Sequence, residues 1–199
     1  MMVLPMRMIR FARLSLLALL ICAAPAAHAI SLSISPSSQS VGAGTSVSVD
    51  VLVTGLGNGV PPSLGGFDLD IAFDPSILVL TGASLNAPLG ASAQFHFSVG
   101  ATASGAVANL FALSSLSGLE LDAMQGAEFT IATLVFSTLA PGTSALTLGN
   151  VALKDGAGAP LVVDASFNGQ IQVVPEPATS LGVGLGFVAL ALLRVRLRD

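Results

Sequence analysis

The sequence predicts an all-β, two-sheet sandwich of about nine strands over residues 30–173, with a signal helix before it and a transmembrane helix after it. Three observations carry this. Apolar and polar residues alternate with a period of two in run after run; Gly, Pro, Asn and Asp separate the runs; and no stretch between the leader and the C-terminal tail has the period and length of a helix. Strands at such spacing pack as two sheets.

The first element is a leader. Residues 1–29 read as a secretory signal peptide: Arg7, Arg10 and Arg13 form its charged region, residues 14–24 its apolar region, and Ala27-His28-Ala29 the site for signal peptidase. Cys22, the one cysteine, lies inside it, preceded by Ile21 where a lipoprotein site wants a small residue. The exported domain is therefore expected to start near Ile30 and to fold without a disulfide or a lipid.

Ten candidate strands follow, at 31–35, 46–54, 66–73, 78–84, 93–99, 105–113, 128–137, 144–153, 160–164 and 169–174. In the second, Val47, Val49, Val51 and Val53 share one face, and Ser46, Ser48, Asp50 and Leu52 the other. In the third, Phe67, Leu69, Ile71 and Phe73 alternate with Asp68, Asp70, Ala72 and Asp74, as in a strand with one buried and one wet face. Phe95 and Phe97 oppose His96 in the fifth. Asn168-Gly169 reads as a two-residue hairpin turn, since both of its central positions need positive φ, and Asp155-Gly156 begins another turn.

Composition narrows the function. Residues 30–173 hold nine acids (Asp50, Asp68, Asp70, Asp74, Glu120, Asp122, Glu128, Asp155, Asp164) against Lys154 alone. Nucleic acid and anionic lipid are poor partners for such a surface. The same stretch has one histidine, His96, and no cysteine, arginine, tyrosine or tryptophan, so no enzyme is expected, no catalytic residue is assigned and no cofactor is called for. A serine nucleophile would need His96 as base beside an orienting carboxylate, and no G-x-S-x-G elbow occurs. Glu120 and Glu128 are the pair formally open to glycoside hydrolysis, without aromatic rings to pack sugars. Asp68, Asp70 and Asp74 are calcium candidates, but alternating aspartates also keep a sheet face wet, and no EF-hand loop is present.

The tail, residues 174–199, joins the tetrad Val174-Pro175-Glu176-Pro177, a run of sixteen mainly apolar residues from Ala178 to Leu193, and Arg194, Arg196 and Arg198. The prolines make the tetrad extended. The apolar run would span about 24 Å as a helix, short of a hydrocarbon core about 30 Å thick, a gap that snorkelling arginines close. The arginines set that end in the cytoplasm and the domain outside. In order and spacing the tail resembles the PEP-CTERM sorting signal of exported bacterial proteins. The resemblance implies recognition and removal by the membrane protease exosortase, an inner-membrane-anchored precursor, and a final place at the cell surface or in the extracellular matrix. An ordinary uncut anchor is the alternative.

A second resemblance covers most of 32–173, with 85–125 poorly matched. The stretch GGFDLDIAFDPSILVL with its Phe73-Asp74-Pro75 turn, and the later EFTIATLVFSTLAPGTSALTLGNV leading through Gly142-Thr143-Ser144 towards Asn168-Gly169, is similar to cohesin domains. This implies a nine-stranded jelly-roll-like sandwich, related in architecture to carbohydrate-binding modules, with a dockerin-like protein or a polysaccharide as partner. No contact residue is carried over, because the family's contacts form no short motif.

Overall fold

A computed structural model describes residues 29–103 and 105–175. The predicted signal and transmembrane helices, with Ala27, Glu176, Pro177, Arg194, Arg196 and Arg198, lie outside the described residues. Among the described residues no helix is long and apolar enough to cross a membrane.

In chain order the elements are β1 (Ile30–Ser35), β2 (Ser38–Gly42), β3 (Ser46–Thr54), β4 (Gly66–Phe73), β5 (Leu78–Leu85), β6 (Gln94–Thr102), β7 (Gly105–Leu113), α1 (Gly118–Met124), β8 (Glu128–Thr138), β9 (Gly142–Lys154), β10 (Pro160–Leu161), β11 (Val163–Phe167) and β12 (Gly169–Val174). They form two sheets. The smaller runs β11-β1-β3-β8-β5, and the larger runs β2-β12-β9-β4-β7-β6 with β10 on the end of β9. The predicted sandwich is thus observed, and the expected ranges of β3, β4 and β7 coincide residue for residue with the strands.

Alternation explains the core. Val47, Val49, Val51 and Val53 of β3 face Phe67, Leu69, Ile71 and Phe73 of β4 across the sandwich, all buried. Phe73 meets Phe136 edge to face at 5.3 Å between ring centres, the geometry aromatic quadrupoles favour. Buried hydroxyls close the turns beside this core. Thr138 Oγ1 accepts from Thr45 N at 2.9 Å and lies 2.9 Å from Gly42 O, and Ser144 Oγ accepts from Asp74 N at 2.9 Å.

Three expectations are corrected. The first strand continues as β2 after Pro36, changing sheets on the way, and the last does the same between β11 and β12. With these two pairs counted as single interrupted strands and the two-residue β10 left aside, the strands among the described residues number the expected nine. Asn168-Gly169 is therefore a crossover and not a hairpin: β11 pairs with β1, β12 with β9 and β2, and neither residue has positive φ. Asn168 Oδ1 accepts from Leu148 N at 2.9 Å, and a Cβ on Gly169 would stand 2.7 Å from Ile34 Cγ2, so close approach is what the glycine provides. The third correction is α1. Seven residues are too few to show an amphipathic period, yet Ser117 and Glu120 carry the S-x-x-E capping signature, with Ser117 N donating to Glu120 Oε2 at 2.8 Å and Ser117 Oγ at 2.7 Å.

Gln125, directly after α1, ties the loops at this end. It is 2% exposed. Its Oε1 accepts from Leu64 N at 2.6 Å, its Nε2 donates to Leu64 O at 2.7 Å, and its own carbonyl accepts from Gly59 N at 3.2 Å. One side chain thus satisfies both backbone groups of a buried residue 61 positions away.

The parallel pairs β1–β11 and β2–β12 also place the first and last strand residues. Ile30 lies beside Val163 at one end of the sandwich, and Val174 beside Gly42 at the other. Ala43 N donates to Val174 O, and the ladder stops there because Pro175 has no N–H to continue it.

Candidate functional site

The outer faces of the two sheets differ in chemistry. That of the smaller sheet carries mainly hydroxyls, from Ser31, Ser33, Ser48, Thr54, Thr81, Thr130 and Ser137, so it solvates without offering much to grip. The larger sheet presents carboxylates, amides and apolar side chains together. β4 stands between β7 and β9, and the alternation that buries Phe67, Leu69 and Ile71 sends Asp68, Asp70 and Ala72 to this outer face. Register sets their neighbours. Asp68 lies between Phe111 and Ala152, Asp70 between Asn109 and Gly149, and Ala72 between Val107 and Thr147.

A bulge completes the arrangement. Between its pairings with Asp68 and Asp70, β9 carries one residue more than β4, and Asn150 within it has φ 46, a left-handed conformation that asparagine tolerates better than most residues. Asn150 Nδ2 donates to Asp70 Oδ2. From the other side Asn109 Nδ2 donates to Asp68 Oδ1 at 2.8 Å and Asp70 Oδ1 at 3.0 Å. Two carboxylates two residues apart on one face are thus held by amide donors, with lone pairs left to accept from a partner.

Beside this network, towards the Ile30 end, Gly66, Asp68, Phe111, Leu113, Ala152 and Lys154 line a hollow of about 310 Å³. Phe111 is 36% and Leu113 44% exposed. Towards the Val174 end, Ala72, Asp74, Thr102, Val107, Thr143, Ala145 and Thr147 line a shallower depression of about 440 Å³. Much of the face is Ala, Thr and Gly, which lose little rotamer freedom when covered. His96 sits opposite Phe111 on the next strand, exposed.

Of the three aspartates proposed from the sequence for calcium, Asp68 and Asp70 share one network and Asp74 stands apart from it. Asp74 lies past the end of β4, where its Oδ1 accepts from Ser76 Oγ at 2.6 Å and Ser76 N at 2.9 Å, and these bonds, the hydroxyl's foremost, hold its pKa below the usual carboxylate value. Among the described residues no group of three or more His, Cys, Asp or Glu is placed to hold a metal ion. Glu120 is committed to the cap of α1, and the Ser117 hydroxyl and N–H lower its pKa, the opposite of what a general acid requires. Its sequence partner Glu128 is exposed at the start of β8. Asp155 serves its turn, accepting from Ala157 N at 2.9 Å and Ala159 N at 2.8 Å. Asn109, Asn150 and Phe111 are the residues that sequence reasoning missed. Asn109 interrupts an Ala/Val/Leu run, and Gly149-Asn150 breaks an otherwise regular strand, which are the two signals that mark them.

No family model and no curated protein matches the sequence. Solved structures do match the fold. The chain superposes on a non-cellulosomal cohesin of the archaeon Archaeoglobus fulgidus with a TM-score of 0.55, 17% identity, and coverage of 77% of this chain and 96% of that one. The OlpA cohesin, solved in a type I cohesin–dockerin complex from Clostridium thermocellum, gives a TM-score of 0.56 at 14% identity over 73% of this chain and 99% of that one. A third, CaCohA2 from Clostridium acetobutylicum, gives 0.53 at 20% identity over 72% and 91%. The fold is that of cohesin domains. The likeness expected from Phe73-Asp74-Pro75 and the closing strands therefore holds at the level of architecture.

Proposed function

We propose that this chain is an exported, non-enzymatic binding module that docks a dockerin-like protein on the outer face of the β2-β12-β9-β4-β7-β6 sheet. The observation that carries the reading is the pairing, on one broad and shallow face, of apolar Phe111 and Leu113 with an Asp68–Asn109–Asp70–Asn150 network fixed before any partner arrives. A preset polar network beside exposed apolar groups is the makeup of a protein interface, with affinity from the apolar centre and register from the polar bonds. The cohesin-like fold supports the choice, one neighbour having been solved with a dockerin. A polysaccharide is the weaker partner, since the chain has no Tyr or Trp on which sugar rings could stack. The nine acids against one lysine favour a partner with a basic face, drawn by long-range attraction.

Export and sorting belong to the same reading. Signal peptidase cuts after Ala29, and exosortase recognises the Val174-Pro175-Glu176-Pro177 tetrad. The precursor waits in the inner membrane on its C-terminal helix, and the product reaches the cell surface or the extracellular matrix. Support comes from the ladder ending at Val174, which leaves Pro175 outside the sheet. It comes too from Ile30 and Val174 standing at opposite ends of the sandwich, so that tethering through Val174 holds the Gln125 loops away from the membrane.

The full chain, captured on beads and offered dockerin modules and a glycan array in parallel, tests the binding part. Retention of a dockerin-type module that Phe111→Ala weakens is the expected result, and glycan binding with no protein retained overturns it. Mature mass measured in cells with and without exosortase tests the sorting part; an uncut tail in both contradicts it.

A further inference from the structure

β6 is the outermost strand of the larger sheet: it pairs with β7, and among the described residues no strand pairs with its other side. Pairing with β7 uses alternate backbone groups, so the remaining N–H and C=O groups point outward along the edge. Proteins blunt such edges with charge, proline, bulges or brevity. β6 has none of these. Its sequence from Gln94 to Thr102 contains no Asp, Glu, Lys, Arg or Pro, and its register with β7 runs unbroken over nine residues. The other edges are guarded: β2 is five residues long, β11 carries Asp164 and a register shift, and β5 is bulged between Leu80 and Gly82.

The side chains of β6 add an apolar rim to this open edge. Phe95, Phe97 and Val99 pair with Ala112, Leu110 and Ala108, whose side chains are buried, yet Phe97 remains 36% and Val99 50% exposed. These side chains therefore point inward but overhang the edge of the core, with the Phe95 and Phe97 rings 6.4 Å apart.

We propose that a second copy of this chain docks along this edge, β6 against β6, antiparallel and centred on Ser98. That register is symmetric about the middle of the strand, so all nine residues find a partner. It sets Phe97 against the partner's Val99, an aromatic–β-branched pair of the kind that stabilises cross-strand contacts, and Phe95 against the partner's Ala101. His96 falls opposite the partner's Gly100, which leaves it room. The occupant is a second copy because the edge complements itself: two chains whose acids would repel elsewhere meet on a segment carrying none, whereas a charged partner strand finds no counter-charge here. The contact is isologous, so it closes as a twofold dimer with one continuous sheet. It leaves the Asp68 and Phe111 face open and is independent of the docking function proposed above.

Cross-linking tests it in the full chain, held in detergent micelles, with Cys22→Ser so that a single introduced thiol is read. Residues directly opposite in an antiparallel pair lie about 4.5–5.5 Å apart at Cα, within disulfide reach. Mild oxidation of Ser98→Cys is expected to give a disulfide-linked dimer. Ser48→Cys, on the outer face of the smaller sheet, stays monomeric, and adding Val99→Lys to Ser98→Cys reduces the dimer at least tenfold with the far-UV circular dichroism unchanged. Equal cross-linking at Ser48 and Ser98, persistence of the dimer with Val99→Lys, or linkage in extracts to a different protein overturns the proposal. Sedimentation of the unaltered chain in the same detergent gives a reading that needs no variant, and a monomer at tens of micromolar overturns it as well.

Discussion

Removing the side chain of Gln125 should destabilise the domain more than any other single polar truncation outside the turns. Gln125→Ala leaves Leu64 N–H and Leu64 C=O without their partners at 2.6 and 2.7 Å, and Leu64 is fully buried. An unpaired buried backbone group costs about 1–3 kcal/mol, so two of them place the loss at about 2–6 kcal/mol, reduced where water enters the space. The chain has no Trp or Tyr, so urea unfolding followed by far-UV circular dichroism is the suitable assay. Gln172→Ala, on the exposed outer face of β12, is the control and should lie within about 0.5 kcal/mol of the parent. Gln125→Glu sharpens the test. Ionised, the carboxylate cannot donate to Leu64 O and is held in a buried site, which raises its folded pKa. Its stability is then complete below the unfolded carboxylate pKa, where the protonated acid donates as the amide did, and is lost as pH rises through the folded value. A Gln125→Ala chain as stable as the Gln172→Ala control, or a Gln125→Glu chain indifferent to pH, would refute the clamp.

The same geometry sets three further outcomes. Asn150→Ala should cost about 1–2 kcal/mol in the same unfolding assay, because alanine is strained at φ 46 where asparagine is tolerated, and Asn150→Gly should cost less although it too loses the bond to Asp70. The capping bonds of Glu120 lower its pKa, so their stabilisation is present above the unfolded carboxylate pKa and lost as pH falls through the folded one; amide protection in α1, taken relative to the intrinsic exchange rate at each pH, should fall on that acid limb, and Glu120→Gln should flatten the dependence. Phe111→Ala should weaken partner binding by about 5–30-fold, the range for losing 1–2 kcal/mol from an interface centre, without shifting the unfolding midpoint comparably.

How much of this was legible in the residues depends on the reach of the interaction involved. The valines of β3 and the Phe/Leu/Ile face of β4 could be read because burial on one side of a strand imposes a period of two within a single segment. Asp155 in its turn could be read for the same reason, its bonds reaching only to Ala157 and Ala159. The crossover at Asn168 could not. A hairpin and a change of sheet use the same two residues, and the choice is made by Ile34 and Leu148, far away in sequence. α1 fell below the length at which a helical period shows, leaving its capping pair as the sole local sign. At the candidate site, alternation within β4 puts Asp68 and Asp70 on one face, but the partners that make them a network come from β7 and from a bulge in β9. A bulge shifts register by one residue, and no alternation within β4 could say where it falls.

The proposed binding of a dockerin-type protein to the outer face of the larger sheet is tested most directly by titration calorimetry of the full chain against a dockerin-type module. Phe111→Ala and Asp68→Ala are run beside Ser33→Ala and Ser48→Ala from the opposite sheet. Saturable binding that is weakened by the first pair and untouched by the second is the expected result. Equal effects from both faces, or heat released only with polysaccharide, would contradict it.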